Sequence, residues 1–172
     1  MLKDFLDTLL VWLPHTRLAA LMYTRWAWPV AESLHFVGLS MLIGAVGVFD
    51  LRLLGLGRKI ALPDLHRIIP WGIAGYCINL LTGICFFTAA PDQYMFNPTF
   101  QLKMLSMTLA GVNVMLFYTT MFRTVRTLGP DDTAPFPARI MGGVSLACWM
   151  GVITFGRLLT FFRPPFHWCP WC

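Results

Sequence analysis

Four apolar stretches of about the length that crosses a bilayer dominate the chain, each bounded by charge or by turn residues. The first runs from about Pro29 to Phe49 with Glu32 as its one charge, and Asp50 and Arg52 stand at its far end. The second, from about Ile68 to Ala90, carries no charge and stops at Pro91 and Asp92. The third, from about Phe100 to Phe122, holds only Lys103 and closes at Arg123 and Arg126; the fourth, from about Ile140 to Phe162, holds only Arg157. A helix crossing a bilayer needs about 20 predominantly apolar residues, so this pattern predicts an all-α, polytopic membrane protein with four transmembrane helices in an antiparallel bundle.

Ahead of these stretches, Phe5, Leu6, Leu9, Leu10 and Leu13 recur at helical spacing among Lys3, Asp4 and Asp7. That pattern predicts an interfacial amphipathic helix lying on the membrane rather than a cleaved secretory signal. The chain therefore divides into an N-terminal interfacial segment (1–27), a four-helix transmembrane domain (28–162) and a Cys-containing tail (163–172). The connection from Leu51 to Arg67 is basic and rich in turn residues (Gly55, Gly57, Pro63), which places it in water; the 129–137 connection is polar and rich in proline.

Small and polar residues mark the faces where helices approach. Gly72, Gly75, Asn79 and Thr82 lie on one stripe of the second helix, and Ser106, Ala110 and Asn113 on one stripe of the third. Asn79 and Asn113 are expected at comparable depth, within reach of a mutual hydrogen bond.

Composition agrees with the pattern. Of 172 residues 57% are hydrophobic and 12% charged, too little charge to cover a globular surface, where about 25% is usual. The net charge of +5 comes from basic residues placed singly or in pairs at the ends of apolar runs, so it speaks for headgroups and against nucleic acid. The side holding the first and third connections carries Arg52, Arg58, Lys59, Arg67, Arg123, Arg126 and Arg139, whereas the other carries Lys3, Arg17, Arg25 and Arg163. This excess predicts both connections in the cytoplasm and both termini in the periplasm.

Ionisable residues inside spans are costly and usually meet a partner or a cavity. Glu32, His35, Lys103 and Arg157 all fall toward the non-cytoplasmic side, and they form the candidate site: a ligand-binding group, or a buried charge cluster that holds three helices in register. No nucleophile–base pair or phosphate loop is present, so no catalytic residue is assigned and an enzyme is not expected. Glu32-x-x-His35 is half of a di-metal motif whose second half is missing. His35 is also a candidate axial ligand for haem b, although His66 falls on the opposite side and His15 and His167 lie in flanking segments. Cys169 and Cys172 form a C-x-x-C beside His167, expected to be a disulfide or else part of a metal site; Cys77, Cys85 and Cys148 are expected to be packing residues.

Trp28-Pro29-x-x-Glu32-x-x-His35-x-x-Gly38, then Gly44 and Asp50-Leu51-Arg52-Leu53-Leu54-Gly55, then Pro70-Trp71, Thr82-Gly83, Asn97-Pro98-x-Phe100-x-x-Lys103 and Gly156-Arg157 form a combined pattern reaching to Phe162. With it the chain resembles a family of small four-helix bacterial inner-membrane proteins of unknown function. The resemblance implies a bacterial cytoplasmic membrane and four spans, but no reaction, and the Cys-containing tail lies outside it. The expected function is that of an accessory membrane subunit or small-ligand binder, in contact with the lipid bilayer and with other subunits or further copies of itself. The alternative is a cytochrome-like carrier of electrons between quinone and a periplasmic partner. A transporter component comes third, because the chain has too few helices for an inverted repeat.

Overall fold

A computed structural model describes Thr8 and residues 10–162 of the chain. The Cys169 and Cys172 pair, His167 and most of the predicted amphipathic stretch lie outside the described residues. Among those described, the structure is all-helical. Helix α1 (Arg17–Met22) follows a single 3-10 turn; α2 (Ala27–Leu54) leads through the short α3 (Leu62–His66) into α4 (Ile69–Ala89). The short α5 (Pro91–Met95) precedes α6 (Pro98–Leu116), which passes through a π-helical turn (Phe117–Met121) into α7 (Phe122–Val125); α8 (Phe136–Leu158) completes the order. Four stretches are long and apolar enough to cross a membrane, namely Ala27–Leu54, Leu62–Ala89, Pro98–Val125 and Phe136–Leu158. They are the mark of a multi-pass membrane protein.

Local chemistry explains the boundaries. Asn97 caps α6, its Oδ1 accepting from Thr99 N at 3.0 Å, while Pro98 at the first helical position gives up an N–H that would have had no partner. The Asn97 amide also donates to Phe162 O at 2.6 Å, tying the start of α6 to the chain beyond α8. Helix α2 does not stop near Phe49 but runs on to Leu54, ending where Gly55 takes the left-handed conformation at φ 102°. Asp50 and Arg52 are consequently not headgroup residues flanking a span; they are 5% and 1% exposed. In the π-helical turn, the Thr119 and Thr120 hydroxyls donate to Met115 O (2.9 Å) and Leu116 O (2.6 Å), competing for carbonyls of the preceding turn.

The extensive interfaces join α2 to α4, α6 to α8, and α2 to α8. Helix α4 thus packs on α2, α2 on α8, and α8 on α6, with no extensive contact between α4 and α6. The small-residue stripes do face neighbours, and the neighbours are now defined. Gly75 lies against the backbone of α2 so closely that a Cβ there would sit 2.8 Å from Leu42 N, and Ser106 lies against Gly151 of α8. The expected Asn79–Asn113 bond does not form. Asn79 turns toward α2 and donates to Gly75 O at 2.9 Å, while Asn113 donates to Met141 O of α8 at 3.0 Å, because their two helices pack on different partners. Cys85 and Cys148 are half-buried, as packing residues would be, but Cys77 is exposed.

Candidate functional site

The residues expected to form one outer cluster separate into a pair and two outliers. His35 Nδ1 lies 2.7 Å from Thr82 Oγ1, which is also 2.7 Å from Ile78 O and 3.2 Å from Asn79 O. A carbonyl can only accept, so the Thr82 hydroxyl gives its single hydrogen to the backbone and must accept from His35. Nδ1 of His35 therefore carries the proton, leaving the lone pair on Nε2, the atom a haem iron would take. Lys103 comes within electrostatic range of His35, and its side chain lies along Gly156, where a Cβ would meet its Nζ at 3.8 Å. Glu32 is exposed and forms no ion pair with Lys103 or Arg157. Arg157 is exposed too, its guanidinium 5.5 Å from the centre of the Phe161 ring. Among the described residues no three His, Cys, Asp or Glu side chains converge as a metal ion would need.

A second site lies deeper, toward the end of the molecule that holds the connections after α2 and α7. A cavity of about 360 Å³ is bounded by α2, α4, α6 with its π-helical turn, and α8. Leu42, Val46, Phe49, Asp50 and Leu53 supply the α2 wall. Asp50 is buried with Ser145 of α8 beside its carboxyl, and its Oδ2 has no hydrogen-bonding partner. Trp149, one helical turn beyond Ser145, also lines the cavity; it is 8% exposed and its Nε1 has no partner either. Buried polar groups are nearly always satisfied, so two unsatisfied atoms in residues that line one cavity from two helices, α2 and α8, are informative. One is an acceptor and the other a donor.

The cavity is reached sideways. Helices α4 and α6 are joined at one end by the stacked Phe87 and Phe100 rings (5.9 Å) with Tyr94, and at the other by His66, which meets Tyr118 and Phe122. His66 Nε2 lies 3.0 Å from the Tyr118 hydroxyl. Between these ring clusters stand exposed lining residues, Ile73 on α4 and Gly111 and Val114 on α6. The opening lies where a bilayer would present acyl chains.

Arg52 closes the end of the molecule that holds the connections after α2 and before α8, without lining the cavity. Its Nε donates to Ile60 O at 2.8 Å, Nη1 to Asp132 O at 3.2 Å, and Nη2 to Gly129 O and Asp132 O, both at 3.2 Å. One buried guanidinium thus holds together the connection after α2 and the connection before α8.

No protein-family model, no curated protein and no solved structure matches the chain. The functional reading therefore rests on the geometry.

Asp50, Trp149 and Tyr118 are functional candidates that sequence reasoning passed over. A signal was present for Asp50: Leu42, Val46, Phe49, Asp50 and Leu53 follow i, i+4, i+7, i+8, i+11 spacing, which puts the acid on the inward stripe of α2 rather than at its end.

Proposed function

We propose that this chain is a small-ligand-binding protein of the bacterial inner membrane, not an enzyme, and that it serves as an accessory subunit beside other membrane proteins. In this reading the four long helices cross the bilayer as an antiparallel bundle with both termini in the periplasm. The observation that carries it is the side-opening, mostly apolar cavity bounded by the four long helices, with the buried Asp50 and Trp149 among its lining residues. Its volume lies at the lower end of the roughly 300–1,000 Å³ typical of ligand sites, and its mouth would admit a lipophilic molecule directly from the hydrocarbon. The His35–Lys103 pair, farther from the cavity, fits a role in holding α2, α4 and α6 in register.

Gly111 offers a test that spares the fold. It lines the cavity, and a Cβ there would meet nothing within 4 Å. Gly111→Phe should block the mouth while leaving the helix at least as stable, since glycine is a poor helix former. Protein extracted in mild detergent should retain a non-covalent small molecule detectable by native mass spectrometry, and Gly111→Phe should retain about tenfold less, the loss of roughly 1.4 kcal/mol of binding. Equal retention by both proteins, or none by the wild type, would contradict the reading.

Orientation has its own check, motivated by the excess of basic residues at the ends carrying the first and third connections. Reporter fusions after Leu128 should behave as cytoplasmic and fusions after Cys172 as periplasmic. The reverse pattern would invert the topology.

A further inference from the structure

The cavity has the proportions of a chain rather than of a compact head. Its α2 wall reaches from Leu42 to Leu53, a rise of about 16 Å at roughly 1.5 Å per residue, close to the depth of one leaflet of a hydrocarbon core about 30 Å thick. A space of about 360 Å³ that extends so far is long and narrow. Its surface is mostly apolar. Asp50 Oδ2 and Trp149 Nε1 are closed to a molecule the size of water, the Asn113 amide donates to Met141 O, and the Tyr118 hydroxyl is 3.0 Å from His66 Nε2. What an occupant touches is chiefly hydrocarbon and ring faces, among them Leu42, Val46, Phe49 and Phe117.

Charge beside the mouth supplies the other half of the ligand. The His66 and Phe122 rings meet at 4.8 Å, and Arg67 and Arg123 are the next residues along the chain. Both arginines therefore start at the same end of the opening, each about 4 Å along the backbone from one of those two residues. Arg126 follows Arg123 by three positions, about one helical turn. All three are exposed; no acidic side chain among the described residues pairs with Arg123 or Arg126, and Arg67 reaches only the exposed Asp64, at 3.8 Å. Ile73, at the mouth, stands about 9 Å along the helix from Arg67 at 1.5 Å per residue, less than the roughly 15 Å that an acyl chain covers within its leaflet. Resting on the ligand-binding reading above, we propose that the occupant is one acyl chain of an anionic phospholipid. The chain turns in between Ile73 and Val114, its phosphate is held outside by Arg67, Arg123 and Arg126, and the second chain stays in the bilayer.

Trp149 reports on this in the full-length protein reconstituted into vesicles. It lines the cavity and is 8% exposed, so a quencher carried mid-chain by a lipid reaches it only from within. The Trp149 signal is the difference between wild type and Trp149→Phe, followed as dibrominated phosphatidylglycerol or dibrominated phosphatidylcholine replaces unbrominated phosphatidylcholine. The anionic lipid should reach half-maximal quenching at about a tenth of the fraction the zwitterionic one needs, since each arginine engaged near the surface contributes about fivefold. Arg123→Gln with Arg126→Gln removes two exposed, unpaired charges and should bring the two lipids within about twofold of each other. Gly111→Phe, read against the same Trp149→Phe background, should leave Trp149 unquenched by either lipid. If both lipids quench the wild type equally, or if the double arginine variant keeps the tenfold preference, the anionic-lipid assignment is overturned while the ligand-binding reading stands. If neither lipid quenches Trp149 in the wild type, or if Gly111→Phe is quenched as the wild type is, the acyl-chain assignment is overturned. The ligand-binding reading is then decided separately, by native mass spectrometry of wild type against Gly111→Phe.

Discussion

Replacing Arg52 with Met is expected to destabilise the protein by at least about 3 kcal/mol, the sum of roughly two hydrogen bonds from a charged donor. Arg52 is 1% exposed and has no carboxylate partner among its bonds; its guanidinium makes four hydrogen bonds, all to the carbonyls of Ile60, Gly129 and Asp132. Methionine would fill much of the volume but leave those carbonyls without their donor, and the connection before α8 would lose its tie to α2. Arg52→Lys should recover little, because a single ammonium on a flexible stem cannot reach carbonyls of two separate connections in the way a planar fork does. Thermal unfolding in detergent is the readout, with protease cleavage within 129–137 as a second. Melting temperatures equal to that of the wild type for both variants would show that the clamp contributes nothing.

A comparable loss is expected from Gly75→Leu. A side chain at Gly75 would run into the carbonyl of Gly38, and its Cβ would lie 2.8 Å from Leu42 N and 2.9 Å from Met41 Cβ. The first two of these are backbone atoms and cannot swing aside, so α2 and α4 would have to separate along the largest helix interface in the molecule. Overpacking of this kind costs about 1–3 kcal/mol where side chains can adjust, and more is expected where they cannot. Gly83, on the same helix, has nothing within 4 Å of its Cβ direction. Gly83→Leu should therefore be tolerated, and the contrast in yield of folded, monodisperse protein between the two variants measures the close approach itself. Equal yields would mean that α2 and α4 do not meet at Gly75.

The helices were legible because a long apolar run with one charge has few other readings, and the approach faces were legible because Gly72, Gly75 and Thr82 repeat at helical spacing. Which helix each face meets was not legible: periodicity gives the direction of a side chain about its own axis but not the order in which helices pack. Hence Asn79 and Asn113, placed at similar depth by counting residues, turn to different partners. Asp50 and Arg52 misled for a related reason. A charge at the end of an apolar run normally reaches for headgroups, and only the continuation of α2 to Gly55, with carbonyls some 80 positions later in the chain folding back onto Arg52, makes their burial tolerable. Of the outer residues, His35 and Lys103 approach each other because α2 and α6 present them inward, whereas Glu32, three residues from His35, sits far enough around α2 to face outward.

The most direct test of the central claim, that the space between the four long helices is a ligand site opening toward lipid, is an experimental structure of the protein extracted with its native lipids and without chain-stripping detergent. The account predicts non-protein density inside the cavity, beside Leu42, Phe49 and Trp149 and continuing outward between Ile73 and Val114. A structure in which α4 and α6 close against each other along their length, leaving no space between the four long helices or water alone in it, would contradict it.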